Sequence, residues 1–378
     1  MPNIPLLSRL KAELETPRAE RPFGSGWLSG SGALLSAIVG LFLVVCLRYP
    51  EFLATPALDI VRASGWFRTV LHIILILAYS WALLSLILRP QKTLGFWAMA
   101  IAIAATLLGG SQAEAVAPGN GSVFFGLDFF VLNVLFTGFL FIPLERFAPH
   151  NGEQTVFRTE WREDIFYYLV SSLFVQVLTF LTLAPSQTIM AHTHWTDFRA
   201  AVGSQPWLLQ VVEIMLLTDL AQYWLHRAFH RVPFLWGFHA VHHSAQTMDW
   251  IAGARMHFLE IIVLRSATAI PMMTLGYEPA ALQAYLAFVY IYSAFIHANV
   301  GWKLDWLSGW FVTPRYHHWH HGLEPEAIDV NFAIHFPLFD RLFGTHHLPE
   351  GKWPSGYGVG GHPVPRGWWP QFLYPFRK

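Results

Sequence analysis

Charge is scarce in this chain. Aspartate, glutamate, lysine and arginine make up 13% of its 378 residues, about half of what a soluble domain carries. Acidic and basic residues balance at 24 each, so bulk charge offers no attraction for nucleic acid. Cysteine is nearly absent: Cys46 stands alone inside an apolar run and excludes an intrachain disulfide framework. There is no glycine fingerprint for a nucleotide and no G-x-S-x-G nucleophile elbow. Disulfide scaffolds, nucleotide-binding reductases and serine hydrolases fall away on these grounds.

What fills the space is apolar. Hydrophobic residues are 54% of the chain, gathered in runs that with their flanks reach the roughly 20 helical residues needed to cross a bilayer. These runs lie at 34–47, 66–88, 96–108, 125–144, 165–183 and 207–225. Two more, 259–275 and 280–296, are separated only by 276–279 and are expected to form a helical hairpin, spanning or re-entrant. The fold class predicted is an all-α integral membrane protein, a multi-span helical bundle. The dense histidine, proline and glycine after residue 308 predict a helical cap over one end of it.

Orientation follows the lysines and arginines of short loops. Arg9, Lys11, Arg18 and Arg21 precede the first run, Arg89 and Lys92 follow the second, and Arg146, Arg158 and Arg162 follow the fourth. The loop 111–123 has none and 184–206 only Arg199, while Arg48 and Arg62 run against the pattern. The N-terminus and the C-terminal half are expected on the cytoplasmic side, in a bacterial inner membrane.

The 19 histidines are read by position. His226 and His230 are four apart at the end of the sixth run and share a helical face. His239, His242 and His243 form H-x-x-H-H, and His317, His320 and His321 repeat it. A single pair of this kind is more often an ordinary core or surface feature. Eight such residues near an apolar phase need compensation, because uncompensated polar groups there cost several kcal/mol each. An all-imidazole donor set suits iron, copper, nickel or zinc, and eight donors are too many for one ion, so a dimetal site is predicted. Zinc has no redox chemistry; oxidation would require a metal such as iron, though zinc can occupy the isolated protein. His257 and His297 bracket the hairpin and are weaker candidates. Asp219, seven residues before His226, is a candidate acceptor for the free ring N–H of a ligand. His318 is out of phase with the spacing and is expected just behind the ligands.

Together the segments Leu-His226-Arg-Ala-Phe-His230, Phe-His239-Ala-Val-His242-His243-Ser and Thr-Pro-Arg-Tyr-His317-His-Trp-His320-His321 resemble the fatty acid hydroxylase/sterol desaturase superfamily. Asp329-Val-Asn331-Phe-Ala and Phe339-Asp340-Arg-Leu-Phe-Gly344-Thr extend the resemblance, which covers roughly 130–376. It implies a membrane domain at 126–378 holding two iron ions, with 1–125 as an N-terminal segment bearing extra transmembrane helices. It further implies metal ligation by His257 and His297, and a role for Asp329, Asn331 and Asp340 in holding the last histidine box. The activity implied is O2-dependent hydroxylation of a lipid or sterol drawn from the bilayer, with desaturation on the same site as the alternative. Electrons would come from a separate ferredoxin, cytochrome b5-like or pterin donor. A membrane metal-binding protein without turnover is the alternative of another class.

Overall fold

The computed structural model describes residues 6–116, 124–361 and 364–377. Most of the arginine-free loop 111–123 lies outside them. The described residues are helical, with two isolated β-bridges and no longer strand. Among the described residues six helices are long and apolar enough to cross a membrane, and the protein is a multi-pass membrane protein. The chain divides into two compact units, Met1–Asn133 and Val134–Lys378.

In the first unit, α1 (Leu6–Leu14) precedes α2 (Trp27–Arg48), α3 (Gly65–Leu88) and α4 (Thr93–Leu107), and the last three pack on one another. Their shared core is built from small residues, among them Ala33, Ala37, Ala78, Ala82, Ala98 and Ala102. Between helices in lipid, where apolar burial gives no drive, such residues let backbones approach closely enough for dispersion to hold them. α5 (Leu127–Phe147) crosses from the first unit into the second.

The second unit carries α6 (Trp161–Leu173), α7 (Val175–Ala191), α8 (Trp207–Arg231), α9 (Pro233–His243), α10 (Phe258–Thr274) and α11 (Pro279–His297). After them come the short helices α12 (Pro314–His320), α13 (Leu338–Leu342) and α14 (Trp368–Leu373). The run expected as one span at 165–183 is bent: α6 and α7 meet at 66° about Phe174. Neither proline nor glycine marks that break.

The expected hairpin also opens. α10 packs mainly on α7 and α8, whereas α11 packs on α8 and α12. The reason is that α8 is apolar on more than one side. Phe229 joins Leu264 of α10 in one cluster, and Tyr223 joins Tyr292 and Ile296 of α11 in another. The two arms are thus spread around α8, and the ends of α8, α9, α11 and α12 converge.

Candidate metal centre

Nine histidines meet where those helix ends converge, in two groups. His226, His230, His239, His243 and His320 form one group; His242, His297, His317 and His321 form the other. Within each group one ring nitrogen from every member lies within 4.8 Å of the rest.

Helical spacing explains the division. Residues four apart differ by about 40° around a helix, whereas a residue three on falls about 60° to the other side. In H-x-x-H-H the first and fifth histidines therefore face one way and the fourth another. His239 and His243 go to the first group and His242 to the second; His317 and His321 go to the second and His320 to the first. Each box gives a pair to one group and a single ligand candidate to the other. The i, i+4 pair of α8 completes the first group and His297 completes the second.

The ring nitrogens that converge are Nε2 atoms. His239 Nε2 lies 3.0 Å from His226 Nε2 and 3.1 Å from His243 Nε2. His297 Nε2 lies 3.0 Å from His317 Nε2 and 3.4 Å from His242 Nε2, and His321 Nε2 is 3.2 Å from His317 Nε2. On five of the rings the opposite nitrogen points outward to an acceptor. His226 Nδ1 donates to Phe332 O at 2.8 Å, His239 Nδ1 to Glu260 Oε1 at 2.5 Å and His242 Nδ1 to Arg255 O at 3.1 Å. His297 Nδ1 donates to Ser293 O at 2.7 Å and His320 Nδ1 to Val330 O at 2.8 Å.

These acceptors fix the proton on Nδ1 and leave bare lone pairs on Nε2. Lone pairs facing each other at such distances repel unless a cation lies among them. His230 Nε2 and His320 Nε2 are buried and have no hydrogen-bond partner, which also costs free energy in a protein interior unless something binds there. Burial, and after it the repulsion of neighbouring imidazoles, holds His239, His242, His243, His317, His320 and His321 well below the ordinary imidazole range. They stay neutral, the state a metal ligand needs. Two borderline cations such as iron fit this donor set.

The surroundings hold the boxes in place. Gly253 sits against His297: a Cβ there would lie 2.8 Å from His297 Nδ1. Asp340, fully buried, accepts from Phe332 N, Ala333 N, Thr345 Oγ1 and Tyr316 Oη at 2.7–3.0 Å. Asn331 Nδ2 donates to Tyr316 O at 3.1 Å, and its Oδ1 accepts from His347 N at 2.8 Å. Asp329 and Asn331 both have φ near +60°, a left-handed conformation that Asp and Asn tolerate better than other side chains. That turn presents Val330 O to His320 and sets Asp329 Oδ1 3.4 Å from His230 Nδ1. His318 donates from Nε2 to His297 O at 3.1 Å, and its Nδ1 lies 2.9 Å from Tyr357 Oη. Burial pulls the His318 imidazole down to about 3.

Two expectations change. Asp219 is buried below His226 but does not touch its ring. It accepts from Ile334 N at 2.7 Å and Phe336 N at 2.8 Å, and Phe332 O takes the His226 proton instead. His257 joins neither group. Its Nδ1 accepts from Leu259 N at 3.2 Å as the N-cap of α10, and its Nε2 donates to Phe372 O at 3.1 Å. Both ring nitrogens are therefore engaged elsewhere.

Two features escaped the sequence reading. One is Glu260, the acceptor for His239. The other is a buried ion network in which Arg158 binds Asp249 through Nε at 2.7 Å and also pairs with Asp164, while Arg255 Nε binds Asp164 at 2.6 Å. Arg255 thereby brings its carbonyl to His242. Charged residues beside apolar runs were the available signal for both.

Residues 211–345 match the fatty acid hydroxylase family model. Over 192 residues the chain is 31% identical to ornithine lipid hydroxylase OlsE of Rhizobium tropici, a match covering 50% of this chain and 55% of that protein. Over 172 residues it is 32% identical to alkylglycerol monooxygenase of Homo sapiens, covering 45% of this chain and 37% of that protein. The chain thus spans about half, or less, of the length of these relatives. No solved structure matches the chain.

Proposed function

Since the chain belongs to the fatty acid hydroxylase family, we propose that it is a membrane di-iron monooxygenase. It would insert one oxygen atom of O2 into an aliphatic C–H bond of a lipid or sterol taken from the bilayer. The observation that carries this reading is the pair of adjacent all-histidine groups, five and four residues strong, at the converging ends of apolar helices. Oxygen insertion is favoured over desaturation because the relatives bear the names hydroxylase and monooxygenase. The same matches argue against a metal-binding protein without turnover.

The proposed ligands are His226, His230, His239, His243 and His320 for one iron, and His242, His297, His317 and His321 for the other. Bound iron would supply O2 activation and one-electron chemistry that no side chain here can. The chain's own part is positional. Backbone carbonyls 255, 293, 330 and 332 and the Glu260 carboxylate hold five rings with Nε2 inward. Asp340, Asn331 and Asp219 tie the 331–336 segment to α8 and α12, so that the third box cannot drift from the first. Burial keeps bulk water from the site and keeps the imidazoles unprotonated.

The overall reaction consumes two electrons and two protons with O2 and releases water with the hydroxylated product. With no nucleotide fingerprint in the sequence, the electrons are assigned to a separate ferredoxin, cytochrome b5-like or pterin donor. We place the catalytic domain at 126–378, with 1–125 adding further spans. The N-terminus and the histidine cluster are placed on the cytoplasmic side of a bacterial inner membrane, where such donors are found. Lipid mass spectrometry of cells with and without the gene tests the activity. A lipid class heavier by one oxygen only when the gene is present is the expected result. A class lighter by two hydrogens would turn the assignment to desaturation, and an unchanged lipidome with an active donor would refute both.

A further inference from the structure

The two histidine groups differ in charge. Among the described residues two carboxylates stand behind the first: Asp329, which lies 3.4 Å from His230 Nδ1 and is shared with Arg231, and Glu260, which no arginine or lysine neutralises. Glu260, in the first turn of α10, is fully buried. Its Oε1 accepts the Nδ1 proton of His239 at 2.5 Å, and its Oε2 has no hydrogen-bond partner. Among the described residues its only ion-pair partner is His239. Neighbouring buried carboxylates are treated otherwise: Asp164, Asp249 and Glu160 are all paired with Arg158 or Arg255. An unpaired buried carboxylate is costly and a neutral His239 does not balance it, so an ionised Glu260 calls for a cation at His239 Nε2. His239 is a central member of the first group, with Nε2 within 3.1 Å of both His226 and His243.

Among the described residues the second group has no carboxylate bonded to a ring in this way. His242 and His297 donate to the neutral carbonyls of Arg255 and Ser293, and Nδ1 of His317 and of His321 has no partner. An anionic acceptor behind an imidazole raises the electron density at its far nitrogen more than a carbonyl does. The first group also has one more donor than the second.

Resting on the two-metal reading above, we propose that Glu260 is a positioning residue that makes the two metal sites unequal. It strengthens the first group through His239, so that this site fills first and releases its metal last. Loss of an acceptor of this type costs about 10–100-fold in metal affinity.

The test is iron(II) binding to the full chain in detergent, measured by competition with a chromophoric chelator. Mössbauer spectra of iron-57 samples are taken alongside. Wild-type protein is expected to show two resolved affinities, with the tighter one lost in His243→Ala and the weaker one in His321→Ala. Glu260→Gln keeps an acceptor for His239 but removes the charge. It is expected to weaken the tighter site by about 10–100-fold, leave the other within about twofold and alter one of two quadrupole doublets. Glu260→Asp, which restores the charge, is expected to recover part of the loss. Two equal wild-type sites, or a Glu260→Gln effect that is absent or spread evenly over both, would overturn the proposal. Should Glu260→Gln fail to fold, Glu260→Asp is read in its place: a weakened tighter site beside an unchanged second site supports the proposal, and an effect that is absent or even over both overturns it. Wild-type protein that takes up fewer than two ions would instead refute the two-metal reading, and this proposal with it.

Discussion

Replacing Asp340 with asparagine should damage the metal centre without touching a ligand. The two carboxylate oxygens divide four donors between them. Oδ1 takes Phe332 N and Thr345 Oγ1, and Oδ2 takes Ala333 N and Tyr316 Oη. An amide offers one acceptor oxygen, and its NH2 would face a backbone N–H whichever way it is turned. Two hydrogen bonds to a charged acceptor are lost, at about 1.5–3 kcal/mol each, for a total of about 3–6 kcal/mol. For a unit of this size that lowers the unfolding midpoint by roughly 2–4 °C per kcal/mol. The segment released carries Phe332 O, the acceptor for His226, while Tyr316 adjoins His317. Metal retention should therefore fall together with the midpoint. Thermal unfolding in detergent and metal analysis of Asp340→Asn, made and purified in parallel with wild type, would check both. A variant with wild-type midpoint and wild-type metal content would refute the reasoning, because it would show that the four bonds do not hold the third box.

Gly253→Ala places a methyl group 2.8 Å from His297 Nδ1, so His297 must move. The expected result is about 1–3 kcal/mol of destabilisation from overpacking and loss of metal from the second group alone, read by metal analysis. His257→Ala removes an N-cap acceptor, worth about 0.5–2 kcal/mol. It should lower the midpoint while leaving metal content at the wild-type value, and a lost metal would restore His257 as a ligand. Metal-free protein should weaken in acid. The unfolded chain protonates its histidines near pH 6.5, whereas burial holds His239, His242, His243, His317, His320 and His321 well below that value when folded. Stability is then full above about pH 6.5 and lost as pH falls below it, by about 1.4 kcal/mol per pH unit for each histidine. Unfolding midpoints across that range in the presence of chelator would show it; a midpoint that climbs on acidification would contradict it.

The histidine boxes were legible because helical spacing is a local property: residues three and four apart already know which side they face. How the boxes interlock was not, since the exchange of His242 and His320 between groups depends on the histidines of the two boxes meeting, His242 against His321 and His243 against His320. Asp219 illustrates the limit of reasoning by face alone. It lies on the same side of α8 as His226, but the ring proton goes to Phe332, more than a hundred residues away. His257 shows the same limit, because a histidine just before a helix serves equally well as a cap. Glu260 was overlooked although a carboxylate in an otherwise apolar run is costly enough to signal a task. The bend at Phe174 had no signal in the sequence, whereas the spread of α10 and α11 around α8 follows from two apolar faces that only packing could assign.

Counting metal in the purified protein tests the central claim most directly. Wild-type chain, grown with iron and dialysed against a mild chelator, is predicted to retain two ions. His320→Ala and His242→Ala, one from each group, are each predicted to retain one, and the double variant none. Two ions that survive both substitutions, or a wild-type chain that holds a single ion, would contradict the assignment of these nine histidines to a dimetal centre.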